Sequence, residues 1–428
     1  MRAVLLAAVV LCAAPAAARA DAPLPESVRL GEGELLTGVR GEGPLTVGQI
    51  KAWLAAPENH RVLTPELPVG LDAGAPNLEG LAANPLTRAK IELGRQLYFD
   101  TRLSSDGTIS CASCHAPEHG WARPERVSAG VRGQLGARNA PTAANRLFST
   151  EQFWDGRADS LEAQAIGPMA NPAEMGLSHG VVVDLLREVE GYRLQFESVF
   201  GEGVDATGVT IENAGRALAA FERAIVSGPN AWDHRQRLET LEAAVAGEPL
   251  DPEYDADLIA RLSRLRAAAE ADPLPDAARR GAELFYSDRT GCTLCHAGAN
   301  FTDERYHNLG VGMAPLARLA DGEPLPRELE RAIDWGRYQV TGDEADRGAF
   351  KTPTLRNIAQ TAPYMHDGSV DTLEEVVAWY VAGGLEHRYL SPLLTPLDLT
   401  DAEQADLVAF LESLTGEWPA VETGRLPE

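Results

Sequence analysis

The sequence predicts a mainly α-helical protein made of two similar units related by internal duplication. Three observations predict it. The pentad Cys111-Ala112-Ser113-Cys114-His115 recurs as Cys292-Thr293-Leu294-Cys295-His296. Pro141-Thr142 and Asp155-Gly156 recur as Pro353-Thr354 and Asp367-Gly368, both at an offset of 212. Apolar residues fall at helical spacing, whereas strand-like runs are few and short.

Each half begins with a helix that carries a packing glycine: Gly94-x-x-Leu97-Tyr98 in one, Gly281-x-x-Leu284-Phe285 in the other. The pentad follows. Two thiols at that spacing add to the two vinyl groups of one porphyrin, and the next histidine falls under the iron as proximal ligand. Zinc also takes Cys-x-x-Cys with histidine, but paired zinc half-sites lie closer than the 181 residues between these pentads. The fold is therefore read as two cytochrome c-like haem domains with two covalently bound c-type haems. Cys111, Cys114, His115, Cys292, Cys295 and His296 are the attachment residues. Next, Asp155 to Glu162 matches Asp367 to Glu374 without a gap. The closing helices are Thr210 to Val226 and Thr400 to Leu414. The last has an apolar stripe of Leu407, Phe410, Leu411 and Leu414, a capping box of Thr400 with Glu403, and Gly416 as its C-cap.

The rest of the chain frames these halves. Residues 1–20 read as a secretory signal: Arg2, an apolar run too short to span a bilayer, and an Ala18-Arg19-Ala20 cleavage site. Cys12 leaves with it, and the other four cysteines all lie in the pentads, so none remains for a disulfide. An exported, periplasmic protein is expected. Residues 21–84 form an extension draped over the first domain, residues 85–230. Residues 231–275 are a helical insert, and residues 276–428 the second domain. About 31 extra residues between the second pentad and Pro353 suggest a loop near its haem. The formal charge of −25 argues against nucleic acid and anionic membranes, and no later segment suits a membrane helix.

The offset of 212 places Tyr380 on Pro168. Tyr380 lies on a helix opened by Thr372 and Glu375 and ended at Gly383-Gly384, on one face with Leu373, Val376 and Val377. Alone it reads as a core tyrosine. Paired with a proline that cannot ligate, it suggests unequal irons: haem 2 closed by His296 and Tyr380, haem 1 held by His115 and open. An open ferric haem needs a proton shuttle and a dipole to split an O–O bond. Glu174 and Gln164 lie near Pro168. Each alone reads as a surface group, and Trp154 as a core aromatic.

The ordered set Arg138-Asn139-Ala140-Pro141-Thr142, Phe153-Trp154-Asp155-Gly156-Arg157, Gly167-Pro168, Asn171-Pro172-Ala173-Glu174-Met175 and Thr361-Ala362-Pro363-Tyr364-Met365-His366-Asp367-Gly368 resembles the bacterial di-haem cytochrome c peroxidase family and its MauG-like members, over residues 85 to 416. The resemblance implies that Trp154 relays electrons between haems, and that Gln164 and Glu174 line a peroxide pocket with the glutamate as acid/base. It implies a calcium ion held by Asn139 and the carbonyls of Thr361 and Pro363. Many such peroxidases have methionine where Tyr380 stands. Many also carry a histidine that blocks haem 1, and Gly130-Val131-Arg132-Gly133 has none. His119, four residues after His115, belongs to the proximal side. The implied activity is reduction of hydrogen peroxide to water at haem 1. Electrons come through haem 2 from a small redox protein, a cytochrome c or cupredoxin. The alternatives are a MauG-like oxidase acting on tryptophan or tyrosine of a partner protein, and a non-catalytic electron carrier.

Overall fold

The computed structural model describes residues 25–201, 207–247, 249–319 and 323–428; the expected signal segment and Cys12 lie outside them. Helices dominate. Chain order runs β1 (Glu26–Arg29), α1 (Val47–Leu54), β2 (Leu63–Glu66), α2 (Arg88–Phe99), α3 (Leu161–Ala170), α4 (His179–Glu188), α5 (Glu190–Phe200) and α6 (Ile211–Ala224). It continues with α7 (Ala231–Ala244), α8 (Ala256–Ala271), α9 (Asp276–Phe285), β3 (Tyr306–His307), α10 (Arg327–Ala332), α11 (Tyr338–Thr341), β4 (Phe350–Lys351), α12 (Leu373–Val381) and α13 (Asp401–Glu412). The strands form two small sheets, β1 parallel to β2 and β3 antiparallel to β4.

Two apolar cores organise the chain. Lobe 1 gathers around α2, α3 and α6, with Leu93, Leu97, Tyr98, Leu218 and Phe221 inside. Lobe 2 gathers around α9, α12 and α13, with Phe285, Leu373, Val377, Leu407 and Phe410 inside. In each, a glycine lets two helices touch. A Cβ on Gly94 would lie 1.9 Å from the Ala217 carbonyl oxygen, and one on Gly281 would lie 1.9 Å from that of Asp406. The ring of Phe221, or of Phe410, packs beside that crossing.

Backbone detail repeats as well. Asn145 and Asn357, Phe153 and Met365, and Gly156 and Gly368 are left-handed pairs at the offset of 212. The short bridges Gln152–Ala158 and Tyr364–Val370 are matched too. Thr372 with Glu375 and Thr400 with Glu403 form the expected capping boxes. Gly416 does not cap α13. That helix ends at Glu412 with Ser413 as its C-cap, and Gly416 instead permits a close backbone approach, its Cβ position lying 2.3 Å from the Gly228 carbonyl oxygen.

The peripheral segments clasp the lobes. The 25–84 stretch supplies Leu36 and Leu63 to the lobe 1 core. The last residues of the chain leave lobe 2 and return to lobe 1. Bridges join Leu36 to Val421 and Leu45 to Pro427. Buried Arg95 of α2, paired with Glu92, donates to the Glu422 and Arg425 carbonyls at 2.7 and 2.8 Å. Helices α7 and α8 form a hairpin with a small core of Leu238, Leu262 and Leu265. The extra loop of lobe 2 encloses Met313, Leu316, Ile333 and Trp335.

Candidate haem and peroxide site

The two pentads are built alike. Each begins in a 3-10 turn, Cys111–Ser113 and Cys292–Leu294. All four cysteines are unpaired and partly buried. Burial raises the thiol pKa values of Cys111, Cys114 and Cys292, keeping them as thiols.

The histidines show which nitrogen is available. His115 Nδ1 lies 2.9 Å from the Pro141 carbonyl oxygen, and His296 Nδ1 lies 3.0 Å from that of Phe301. A carbonyl only accepts, so each Nδ1 carries the proton and each Nε2 keeps its lone pair. Burial lowers both imidazole pKa values and favours the neutral ring that a metal needs. Unpaired thiols, oriented neutral imidazoles and a carbonyl behind each ring fit covalently held haem. Tyr98 adds a brace, its hydroxyl donating to the His115 carbonyl at 2.9 Å.

Helices α3 and α12 start at matching places, capped by Ser160 and Thr372. Pro168 and Tyr380 therefore sit on the same turn of corresponding helices. Burial raises the Tyr380 phenol pKa first, and the charges of Cys295 and Cys292 add to the rise.

Glu174 stands on the loop after α3. Its Oε1 accepts from Asn171 Nδ2 at 2.9 Å. Burial raises its pKa, while Arg157 and the Asn171 hydrogen bond oppose the rise. Its charge acts on Cys111 and Cys114, so it lies on the side of the first pentad. Gln164 is half-buried on α3, one turn before Pro168. Asn171 was not singled out in the sequence, nor was Gly130. A Cβ on Gly130 would lie 2.0 Å from the Ala173 carbonyl oxygen, and Val131 N–H donates to the Glu174 carbonyl at 2.8 Å. The segment read only for lacking a histidine thus supports the glutamate loop. His119 is exposed.

Trp154 lies where the lobes meet. Its indole N–H donates to the Asn139 carbonyl at 2.8 Å, and its own carbonyl accepts from Lys351 N–H at 2.8 Å. Arg138 braces the same junction, pairing with Asp155 of one lobe and Asp334 of the other at 2.6 Å each. Asn139 is buried. Its N–H donates to the His366 carbonyl at 2.8 Å, which draws the loop holding Thr361 and Pro363 toward it. Its side-chain amide donates to the Glu125 and Arg126 carbonyls. Among the described residues, the one cluster of His, Cys, Asp or Glu with metal-site spacing is Cys295, Asp303 and His307. Cys295 is the second thiol of its pentad, so that cluster would lose a ligand to haem joined there.

The chain is similar to known proteins over most of its length. Residues 88–240 match the family model for di-haem cytochrome c peroxidase. The chain is 37% identical to the methylamine utilization protein MauG of Methylorubrum extorquens, over 81% of this chain and 83% of that protein. It is 34% identical to the cytochrome c551 peroxidase of Nitrosomonas europaea, over 81% of this chain and 86% of that one. A crystal structure of a MauG-like protein associated with microbial copper homeostasis superposes with a TM-score of 0.64 at 32% identity, covering 80% of this chain and 93% of that one.

Proposed function

The chain belongs to the di-haem cytochrome c peroxidase family and is an oxidoreductase of that type, and from this we propose a periplasmic enzyme that reduces hydrogen peroxide to water in lobe 1 with electrons drawn through lobe 2. The observation that carries the proposal is the unlike pair Pro168 and Tyr380 on corresponding helices. Proline offers iron no ligand atom, whereas a phenolate oxygen is a haem ligand. When bound, the haem of lobe 1 supplies an iron that takes peroxide, and the haem of lobe 2 supplies a second redox centre.

The protein's own groups do the rest. His115 and His296, with Nδ1 tied to a carbonyl, would hold the irons through Nε2. Glu174 takes a proton from the inner peroxide oxygen and returns it to the outer one, so that water leaves. Burial raises its pKa, the direction that suits a group that must both accept and release a proton. Asn171 fixes one carboxylate oxygen, and Gln164 turns its amide dipole toward the developing charge. Trp154 relays electrons across the junction with its indole held by Asn139. Calcium bound by the Asn139 side chain and the Thr361 and Pro363 carbonyls would fix that junction. Among the described residues no helix is long and apolar enough to cross a membrane.

The donor has two readings. A small cytochrome c or cupredoxin makes the enzyme a peroxide scavenger. Tyr380 favours the second, a MauG-like oxidase that withdraws electrons from tryptophan or tyrosine of a partner protein, because an anionic ligand lowers the potential of haem 2 and favours its oxidised states. Peroxide-dependent oxidation of a reduced small cytochrome, two per peroxide, supports the first; its absence with peroxide still consumed supports the second. Electron paramagnetic resonance of the ferric holoprotein tests the coordination itself. One high-spin and one low-spin haem are expected, and Tyr380→Phe should change only the low-spin signal. Two low-spin haems would overturn the assignment.

A further inference from the structure

The two lobes contain the same aromatic knot with its oxidisable rings in opposite places. In lobe 1, Tyr98, Trp121 and Phe221 pack with centroids 5.0 to 6.0 Å apart, and Tyr98 and Trp121 are wholly buried. In lobe 2 the matching inner rings are Phe285, Phe301 and Phe410, at 5.0 to 6.4 Å. Phenylalanine does not give up an electron under protein conditions. The oxidisable rings of lobe 2 lie one layer further out. Tyr286 packs on Phe285 at 5.3 Å, Trp232 packs on Phe410 at 5.3 Å, and the two stack on each other at 5.5 Å with an interplanar angle of 23°. Tyr286 is 49% exposed.

The inner end of this knot reaches the haem 2 histidine, because the carbonyl of Phe301 accepts from His296 Nδ1. The outer end is pinned to the same loop. Asp233, beside Trp232 on α7, pairs with buried Arg356 at 2.7 and 3.0 Å. Arg356 also donates to the Ala299 carbonyl at 2.7 Å and lies over the Phe301 ring. Helix α7 lies outside the repeated elements, so Trp232 is an addition to lobe 2.

We propose that the stacked Trp232–Tyr286 pair is a redox station that carries single electrons between the protein surface and haem 2. The inference rests on reading His296 as a haem ligand, but not on peroxide as the oxidant. In turnover Trp232 gives one electron inward to the oxidised haem centre, and Tyr286 refills Trp232. Tyr286 loses its phenolic proton to water as its electron leaves. An electron from the donor and a proton from water restore it, so each cycle passes one electron and no net proton.

The test uses the fully reduced holoprotein and photogenerated tris-bipyridyl ruthenium(III) as a one-electron surface oxidant. Oxidation of each haem is followed by absorbance. Tyr286→Phe and Trp232→Phe are each expected to slow haem 2 oxidation several-fold and to leave haem 1 unchanged. Tyr254→Phe, at a side chain 83% exposed and outside the knot, should behave as the parent. Peptide mapping after prolonged illumination should find oxygen addition at Trp232 and dityrosine through Tyr286. An unchanged haem 2 rate in the double variant, or adducts that avoid both residues, overturns the proposal. Tyr286→Phe removes only a hydroxyl and carries the test if Trp232→Phe fails to fold. Failure of the peroxidase reading would appear separately, as ferric protein that consumes no peroxide.

Discussion

Lobe 1 and lobe 2 share a pentad, a glycine-mediated helix crossing and a set of left-handed turns, yet differ in the side chains that decide chemistry. Lobe 1 has Pro168 where lobe 2 has Tyr380. Lobe 1 has Glu174 half-buried and held by Asn171; the matching position of lobe 2, Glu386, is exposed. Lobe 1 buries Glu222 on α6 where lobe 2, aligned through the glycine crossings and Phe221 and Phe410, buries Leu411 on α13. The comparison teaches that the scaffold is held redundantly by backbone features. On the proposed function, a few side chains then set the character of each iron at little cost to the fold.

The largest expected effect comes from erasing the difference at the unlike pair. Pro168→Tyr restores an N–H to the last turn of α3 and places a phenol where lobe 2 has one. The ferric lobe 1 haem should turn from high-spin to low-spin and peroxide reactivity should be lost, measured by electron paramagnetic resonance and stopped-flow absorbance. A persistent high-spin signal would break the correspondence between the two helices.

Next in size is the proton shuttle. Glu174→Gln should slow the peroxide step by about 10²- to 10⁴-fold while both haem spectra persist. Glu386→Gln in lobe 2 should leave the rate unchanged. Because burial raises the Glu174 pKa, the fall in rate on the acid side, as the base becomes protonated, should come at a higher pH than for a free carboxylate. An identical rate and pH profile in Glu174→Gln would remove the residue from its role.

Much of this was legible in the chain, for physical reasons. Covalent haem attachment needs a fixed spacing of thiols and histidine, so the pentads announce themselves. Helix starts at Thr372 and Thr400 are local, written in a side chain and its partner three residues on. The constant offset of 212 carried Pro168 onto Tyr380 because corresponding helices begin at corresponding caps. What stayed hidden depends on distant contacts. Asn171 carries no signal of its own until its amide meets Glu174. Gly130 reads as a loop glycine until the Ala173 carbonyl crosses it. The return of residues 421–427 to lobe 1 leaves no local pattern, because Arg95 binds backbone carbonyls there and any residue supplies one. Gly416 was misread for a related reason: a glycine after a helix suits a cap or a close approach, and only the neighbouring chain decides which.

The scaffold side of the comparison predicts equality. Gly94→Ala and Gly281→Ala each drive a methyl into a facing carbonyl at the same separation. Each should destabilise the holoprotein by about 1–3 kcal/mol, as overpacking does, with similar losses in chemical denaturation. A large loss in one and none in the other would show that the crossings are not equivalent.

The smallest effect concerns Glu222 and Leu411. Burial pushes the Glu222 carboxyl up to about 8 from 4.5, against the pull of Arg146 and Arg223 and with the help of Glu162. The folded protein therefore keeps a proton on Glu222 between those values, while the unfolded chain gives it up near 4.5. The native state binds more protons across that window, so stability must fall as pH rises from 4.5 to 8 and level off above it. Leu411 brings no such dependence to lobe 2. Glu222→Gln, which cannot ionise, should flatten the decline. The check is the denaturation midpoint of both proteins at several pH values across the window. A parent protein whose midpoint rises with pH there, or a variant that keeps the parent's slope, would show that this carboxyl does not set the difference between the lobes.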